Sequence, residues 1–440
     1  MARTFPADGH FTLANASVPE AVMDKPASGS LARVDISVAD GRITSVAPAG
    51  TTPRLPNVVE MDGGIVLPAF VDLHTHLDKG HIWPRRANPD GTWLSALLAV
   101  GADREANWAA SDVERRMDFS LRCAWAHGTA AIRTHLDAAP PQHEISFDVF
   151  ERVRERWTGR IELQAVSLVG PDTLLDLADL RLVAARTAKA GGVLGGSTAV
   201  HPDNPRMMRN LIEVAGEFGL DIDIHADESP DPEATALRAL ADAVIETGFA
   251  GRLLAGHCCA LARQPADLAN ATIERVARAG VAVVSLPMCN MYLQDRAQTH
   301  ARTHAHAATP LWRGVTLLNE LKAAGVAVAI ASDNTRDPFY AYGDLDGFEV
   351  FREGARILHF DHPQGEAFAW ARAVGADAAA IADFDYNATI AAQAPAELVL
   401  FAARSWTELM SRPQADRTVL RAGRPIDTAL PDYRELDDLM

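Results

Sequence analysis

Three short groups of nitrogen- and oxygen-bearing side chains stand out in the chain: His74-Thr75-His76, His225-Ala226-Asp227-Glu228 and Ser332-Asp333-Asn334. Imidazoles and carboxylates are ligands of divalent transition metals, and a metal held by such a set can activate a water. His74 and His76 are two residues apart, so on an extended strand both point to one side and can reach one ion. Alone, a His-x-His pair is a weak signal. Position strengthens it, because each group ends a short apolar run: Val66-Leu67-Pro68-Ala69-Phe70-Val71, Leu220-Asp221-Ile222-Asp223-Ile224 and Val326-Ala327-Val328-Ala329-Ile330. Such runs read as buried parallel strands. If their ends meet at one face of a barrel, three imidazoles and one carboxylate hold one divalent metal, which implies a metal-dependent hydrolase.

The elements that must position these residues recur regularly. From Gly128 onward a strand-like run returns at intervals of roughly 30 residues, the length of a strand plus a crossover helix. The runs are 130–133, 161–166, 192–195, 222–224, 253–255, 281–285 and 326–330, and the strand before His74 makes eight. Between them lie helix-like stretches such as Met207 to Phe218 and Pro232 to Thr247. Alternation of this kind predicts an α/β fold, a (β/α)8 TIM-like barrel over 65–384. An open doubly wound sheet is the alternative, but no G-x-G-x-x-G follows the first strand and polar residues end many strands rather than one switch point. The chain ends differ in style. Ala32 to Val38, the turn Asp40-Gly41 and Arg42 to Val46 predict a hairpin, and Glu397 to Phe401 and Thr418 to Arg421 predict further strands. Both ends, 1–64 and 385–440, are expected to form one small β-sandwich domain.

Composition narrows the partners. A formal net charge of -17 repels a phosphate backbone, so nucleic acid and anionic membrane surfaces are disfavoured and a small molecule is expected. There is no apolar run long enough to span a bilayer and no secretion-signal core near Met1, so a cytoplasmic location is expected. The four cysteines, Cys123, Cys258, Cys259 and Cys289, are too sparse for a disulfide framework and read as reduced thiols. Neither H-x-E nor P-C-x-x-C occurs, which excludes the zinc deaminases that flip nucleic-acid bases.

Longer segments carry a family likeness: Leu67-Pro68-Ala69-Phe70-Val71-Asp72-Leu73-His74-Thr75-His76-Leu77-Asp78, Arg133-Thr134-His135-Leu136-Asp137, His225-Ala226-Asp227-Glu228, Gly256-His257, Tyr292-Leu293-Gln294-Asp295-Arg296 and Asp333-Asn334-Thr335-Arg336-Asp337-Pro338-Phe339. In this order they resemble the amidohydrolase superfamily and, within it, the cytosine deaminase group. The resemblance implies one divalent ion, zinc or iron, on His74, His76, His225 and Asp333. It also implies that Glu228 protonates a ring nitrogen and that His257 and Asp333 hold or accept a proton of the attacking water. Binuclear members carry a carboxylated Lys or a Glu at the end of strand four, where this chain has Gly195-Gly196-Ser197-Thr198. Cytosine deaminases have a Gln shortly after strand three, where this chain has Leu168-Val169-Gly170-Pro171, and a second Asp where it has Asn334. Asn334, Arg336 and Asp78-Lys79 are instead similar to N-isopropylammelide isopropylaminohydrolase, an s-triazine enzyme of the same group.

The expected reaction is hydrolytic removal of ammonia or an alkylamine from a nitrogen heterocycle, by a protein compatible with a homo-oligomer. Lys79 and Arg336 are candidate binders of a ring carbonyl, with ion pairing to Asp78 or Asp337 as the alternative. Trp93 and Phe339 are candidate stacking residues or packed lid residues. His135 is expected to be structural or to support the ligands. The run His300 to His306 reads as a mobile loop. Hydrolysis of a cyclic amide or ureide by the same water is the rival activity, and a catalytically silent binding protein the rival class.

Overall fold

A computed structural model describes residues 3–24, 30–51, 53–296, 309–362 and 367–440. The His300 to His306 run lies outside the described residues. Eight strands form one sheet in chain order: β1 (Phe70–Thr75), β2 (Thr129–Asp137), β3 (Glu162–Leu168), β4 (Val193–Thr198), β5 (Ile222–Ala226), β6 (Leu253–His257), β7 (Ala282–Ser285) and β8 (Val328–Ile330). Neighbours from β3 to β8 pair in parallel, with His225 opposite Ser197 on one side and Gly256 on the other. The sheet closes at β8 and β1 by a bridge between Thr75 and Asp333, where the Asp333 amide donates to the His74 carbonyl at 2.9 Å. The closing bond therefore joins two of the expected ligand residues.

Helices fill the crossovers because their apolar positions recur with helical period. Asn204–Phe218 buries Met207, Met208, Leu211, Ile212, Val214 and Ala215, and stops at Gly219, whose φ of 65° suits the left-handed cap. The helix expected from Pro232 begins later, at Ala236, and runs to Thr247. The reason lies outside its own sequence: the Asp227 carboxylate accepts from the Ala236 and Leu237 amides at 2.7 and 3.0 Å and fixes the first turn there.

The run 66–71 is a correction to the single parallel strand expected. Val66–Pro68 pairs antiparallel with Leu398–Leu400, and the barrel strand starts only at Phe70. Pro68 has no amide to extend the first ladder, and the chain changes sheets across Ala69. Of the two remaining four-stranded sheets, one has the order Arg42–Pro48, Leu31–Ala39, Phe11–Pro19, Val58–Glu60, and the other Arg424–Pro425, Thr418–Arg421, Leu398–Leu400, Val66–Pro68. The hairpin turn Asp40-Gly41 has φ of 52° and 75°, the pair of positive angles that a two-residue turn requires.

The chain divides into two compact units. One comprises Met1–Asp72, Arg122–Ala131 and Asp346–Pro431; the other comprises Leu73–Leu121, Ile132–Leu345 and Asp432–Met440 and holds every candidate site residue. Among the described residues no helix is long and apolar enough to cross a membrane.

Candidate metal centre and its surroundings

Residues two apart on a strand share a face, so His74 and His76 at the end of β1 point the same way, as do Arg133, His135 and Asp137 on β2 and Asp223 and His225 on β5. The result is a triangle of ring nitrogens. His225 Nε2 lies 3.1 Å from His74 Nε2 and 3.2 Å from His76 Nε2, and Asp333 Oδ1 lies 3.2 Å from His76 Nε2 and 3.6 Å from His74 Nε2. Two nitrogens on one tetrahedral zinc are about 3.3 Å apart. The donor set fits a divalent ion on a second ground: neither buried Asp333 oxygen accepts an N–H or O–H hydrogen bond among the described residues. Burial drives all three imidazoles well below their ordinary pKa, leaving neutral rings with lone pairs to offer, and it drives Asp333 well above the carboxylate range. Such a cluster is costly unless a cation compensates it.

His135 sits against this triangle. Its ring centroid is 3.9 Å from that of His74, and its Nε2 is 3.7 Å from Asp223 Oδ2. Asp223 also accepts from Arg133 at 3.0 Å, and that buried guanidinium supplies positive charge to the carboxylate. His74, His135 and Asp223 form a second group of potential ligands, already neutralised by Arg133.

Beside the triangle lies an acid held on both oxygens. The Trp93 indole donates to Glu228 Oε2 at 2.7 Å, and Asn290 Nδ2 donates to Glu228 Oε1 at 3.2 Å and to His257 Nδ1 at 2.9 Å. Burial raises the Glu228 carboxyl to about 7, against the opposing pull of the Trp93 bond and the Lys79 charge. Burial lowers His257 to about 3, so its ring is neutral. His257 and Asp333 have φ of 68° and 65°, and Asp227, beside Glu228, has 54°. Non-glycine residues in the left-handed region cost roughly 1 to 3 kcal/mol and cluster at working sites.

The expected substrate residues divide. Phe339 packs edge-on against Trp93 with ring centroids 6.2 Å apart, and the buried Lys79 ammonium is 5.8 Å from the Phe339 ring. Lys79 binds Asp137 at 2.7 Å, a partner not anticipated among Asp78 and Asp337, and Arg104 holds the other Asp137 oxygen at 2.8 Å. Burial alone would lower the Lys79 pKa, but Asp137 and Asp78 outweigh it and keep the ammonium charged. Asn334 donates to Asp337 at 2.7 Å and accepts from the Cys289 thiol at 3.6 Å, so both ends of its amide are already engaged, one within its own loop and one by the helix after β7. Arg336 stacks on Tyr433 of the segment Tyr433–Leu439, 3.8 Å from the ring centroid. All four cysteines are free and buried. Asn290 and the Lys79 counter-ion role of Asp137 had no signal in the sequence beyond their places after β7 and at the end of β2.

The sequence model of the amidohydrolase family matches residues 121–427. The chain belongs to the amidohydrolase family. This amidohydrolase is 55% identical over 441 residues to a pterin deaminase of Rhizobium rhizogenes, covering 99% of this chain and 98% of that protein. Among solved structures it is similar to 5-methylcytosine deaminase from Klebsiella pneumoniae liganded with 5-fluorocytosine, with TM-score 0.77, 21% identity and coverage of 96% and 98% of the two chains. N-isopropylammelide isopropylaminohydrolase from Burkholderia multivorans gives TM-score 0.69 and 24% identity over 96% and 99%. At these identities the two structures speak for the barrel fold of the amidohydrolase and no further.

Proposed function

We propose that this amidohydrolase hydrolytically removes the exocyclic amino group of a pterin, an aminopyrimidinone fused to a second ring, and releases ammonia. The observation that carries the reaction is Glu228, a carboxyl near pH 7 clamped by Trp93 and Asn290 beside the His74, His76, His225 and Asp333 cluster. The pterin deaminase relative supports the choice of ring. In the reaction a water oxygen bonds to the ring carbon that bears the amino group, the carbon–nitrogen bond to that group breaks, and a ring carbonyl and ammonia result.

Each residue has a proposed part. A divalent ion on His74, His76, His225 and Asp333, zinc or iron, supplies Lewis acidity that lowers the pKa of a water. Glu228 gives its proton to the ring nitrogen next to the attacked carbon, takes one from the added hydroxyl as the ring carbonyl forms, and passes it to the departing amine; an acid titrating near the working pH suits both steps. His257 stands beside the cluster, with its Nδ1 held by Asn290. Trp93 and Phe339 form an aromatic wall for a planar ring, and buried Lys79 offers N–H groups to a ring carbonyl.

The test is product analysis with zinc- and iron-loaded enzyme on pterin, cytosine and N-isopropylammelide. One ammonia per pterin consumed, with the ring intact and a carbonyl in place of the amino group, is the expected result. Ring opening without ammonia refutes deamination in favour of cyclic-amide hydrolysis.

A further inference from the structure

Asn290 lies in the short helix Pro287–Leu293 that follows β7, fully buried, with its backbone amide bonded to the Leu286 carbonyl at 2.9 Å. Its side chain bridges two groups of the site, and the chemistry of the bridge restricts both. A primary amide offers two N–H donors at one end and a carbonyl acceptor at the other. The end facing Glu228 Oε1 and His257 Nδ1 is the nitrogen, at 3.2 and 2.9 Å. Turning the amide over would set its carbonyl oxygen against Glu228 Oε1 at that distance, which is repulsive once the acid has given up its proton. With the nitrogen inward, His257 Nδ1 accepts a hydrogen bond and so carries no hydrogen.

A neutral imidazole keeps one hydrogen, and the bond made by one nitrogen settles where it goes. On His257 it must be Nε2, a buried atom with no hydrogen-bond partner among the described residues. A ring nitrogen of His257 lies within 4.8 Å of ligand atoms of His74, His225 and Asp333. Nδ1 faces the Asn290 amide at 2.9 Å and Glu228 Oε1 at 3.4 Å, which leaves Nε2 as the nitrogen to face them. A nitrogen that bears hydrogen has no lone pair to give a cation.

We propose that Asn290 is a positioning residue that sets the tautomer of His257, withholding that ring from the ligand set and aiming its Nε2–H at the oxygen being added to the ring carbon. By its second N–H the same amide holds Glu228 Oε1, so one side chain orients both the proton donor and the hydrogen-bond donor of the reaction. This inference rests on the deaminase reading for the role of His257, but the tautomer itself does not depend on the substrate.

The experiment uses the full-length zinc-loaded protein with 15N-labelled histidine. The His257 ring should show a protonated Nε2 and an unprotonated, hydrogen-bonded Nδ1, with the signals assigned by their loss in His257→Gln. In Asn290→Asp, which keeps the shape but puts an acceptor opposite Nδ1, the proton should move to Nδ1. Turnover should then fall by about 100-fold or more, the scale for losing one well-placed donor, with zinc content at one per chain and KM within about threefold of the parent. A proton on Nδ1 in the parent protein overturns the proposal without any variant. So does an Asn290→Asp enzyme with the parent's kcat. Failure of pterin turnover alone sinks the proposed substrate and leaves the tautomer result to decide the role of Asn290.

Discussion

Replacing Gly256 with alanine should weaken metal binding without entering the ligand set. Gly256 lies on β6, and a Cβ built there would fall 2.9 Å from His74 Cε1 and 3.2 Å from His74 Nδ1. Carbon atoms in contact prefer about 3.5 to 4.0 Å, so the imidazole would have to withdraw by about 0.6 Å or more. It has little room to do so, since the tilted His135 ring lies 3.9 Å away between centroids and His225 Nε2 is 3.1 Å from its own Nε2. Ligand distances tolerate only about 0.2 Å before a metal site loses its geometry. Overpacking of this kind costs about 1 to 3 kcal/mol. If that strain is relieved by moving His74, zinc affinity should fall by about 5- to 150-fold, while the metal-free protein melts close to the parent. The assay is competition for zinc against a chromogenic chelator, paired with thermal melts in EDTA. Parent-like zinc affinity together with a parent-like melt would refute the reasoning, since the clash must be paid for in one state or the other.

Other expectations follow from the same geometry. Glu228→Gln should keep its metal and lose turnover by about 100-fold or more, checked by metal analysis beside ammonia release; unchanged turnover removes Glu228 from the acid role. Trp93→Phe keeps the aromatic wall and deletes the 2.7 Å bond to Glu228. A hydrogen bond to a charged group contributes about 1.5 to 3 kcal/mol, so kcat should drop by about 10- to 150-fold with little change in KM, and a KM effect alone would make Trp93 a stacking residue instead. Removing the metal with a chelator should abolish turnover, and zinc or iron should restore it; full activity in metal-free protein would end the mechanism. Burial raises Asp227 to about 7, so the unfolded chain ionises at lower pH than the folded one and the parent loses stability as pH rises from about 4 to 7. Asp227→Asn lacks that loss, and its urea midpoint relative to the parent should therefore improve between pH 5 and pH 8; a constant difference would show that Asp227 is ionised in the folded protein at both.

The barrel was legible because its strands are short apolar runs at regular spacing, and because a pleated strand sends His74 and His76 to one face. Strand ends with polar residues then pointed to His225 and Asp333, whose nearest side-chain atoms the structure brings within 3.6 Å of both histidines of the pair. What stayed hidden depends on partners distant in sequence. Periodicity cannot tell that 66–68 pairs with 398–400 while Phe70 begins another sheet. Nor does an indole reveal that its N–H reaches a carboxylate 135 positions away. Asn290 sits among apolar neighbours in a seven-residue helix and reads as an ordinary helix position until His257 and Glu228 are folded around it. Lys79 reads in the sequence as a charge beside Asp78, but its counter-ion Asp137 comes from the next barrel strand.

The seam between β8 and β1 joins the first and last strands of the barrel through the amide of Asp333 and the carbonyl of His74. The isolated bridge that closes the cylinder thus involves two residues proposed to hold the ion, and a bound ion would be a clasp across it. In the absence of metal the seam is where the cylinder should first open, with the Asp333 amide exchanging its hydrogen faster than amides in the middle of the sheet. Loading with zinc should slow that exchange selectively. The proposed ligand set is complete only when the last barrel strand is in place beside the first, so metal binding should report closure of the cylinder.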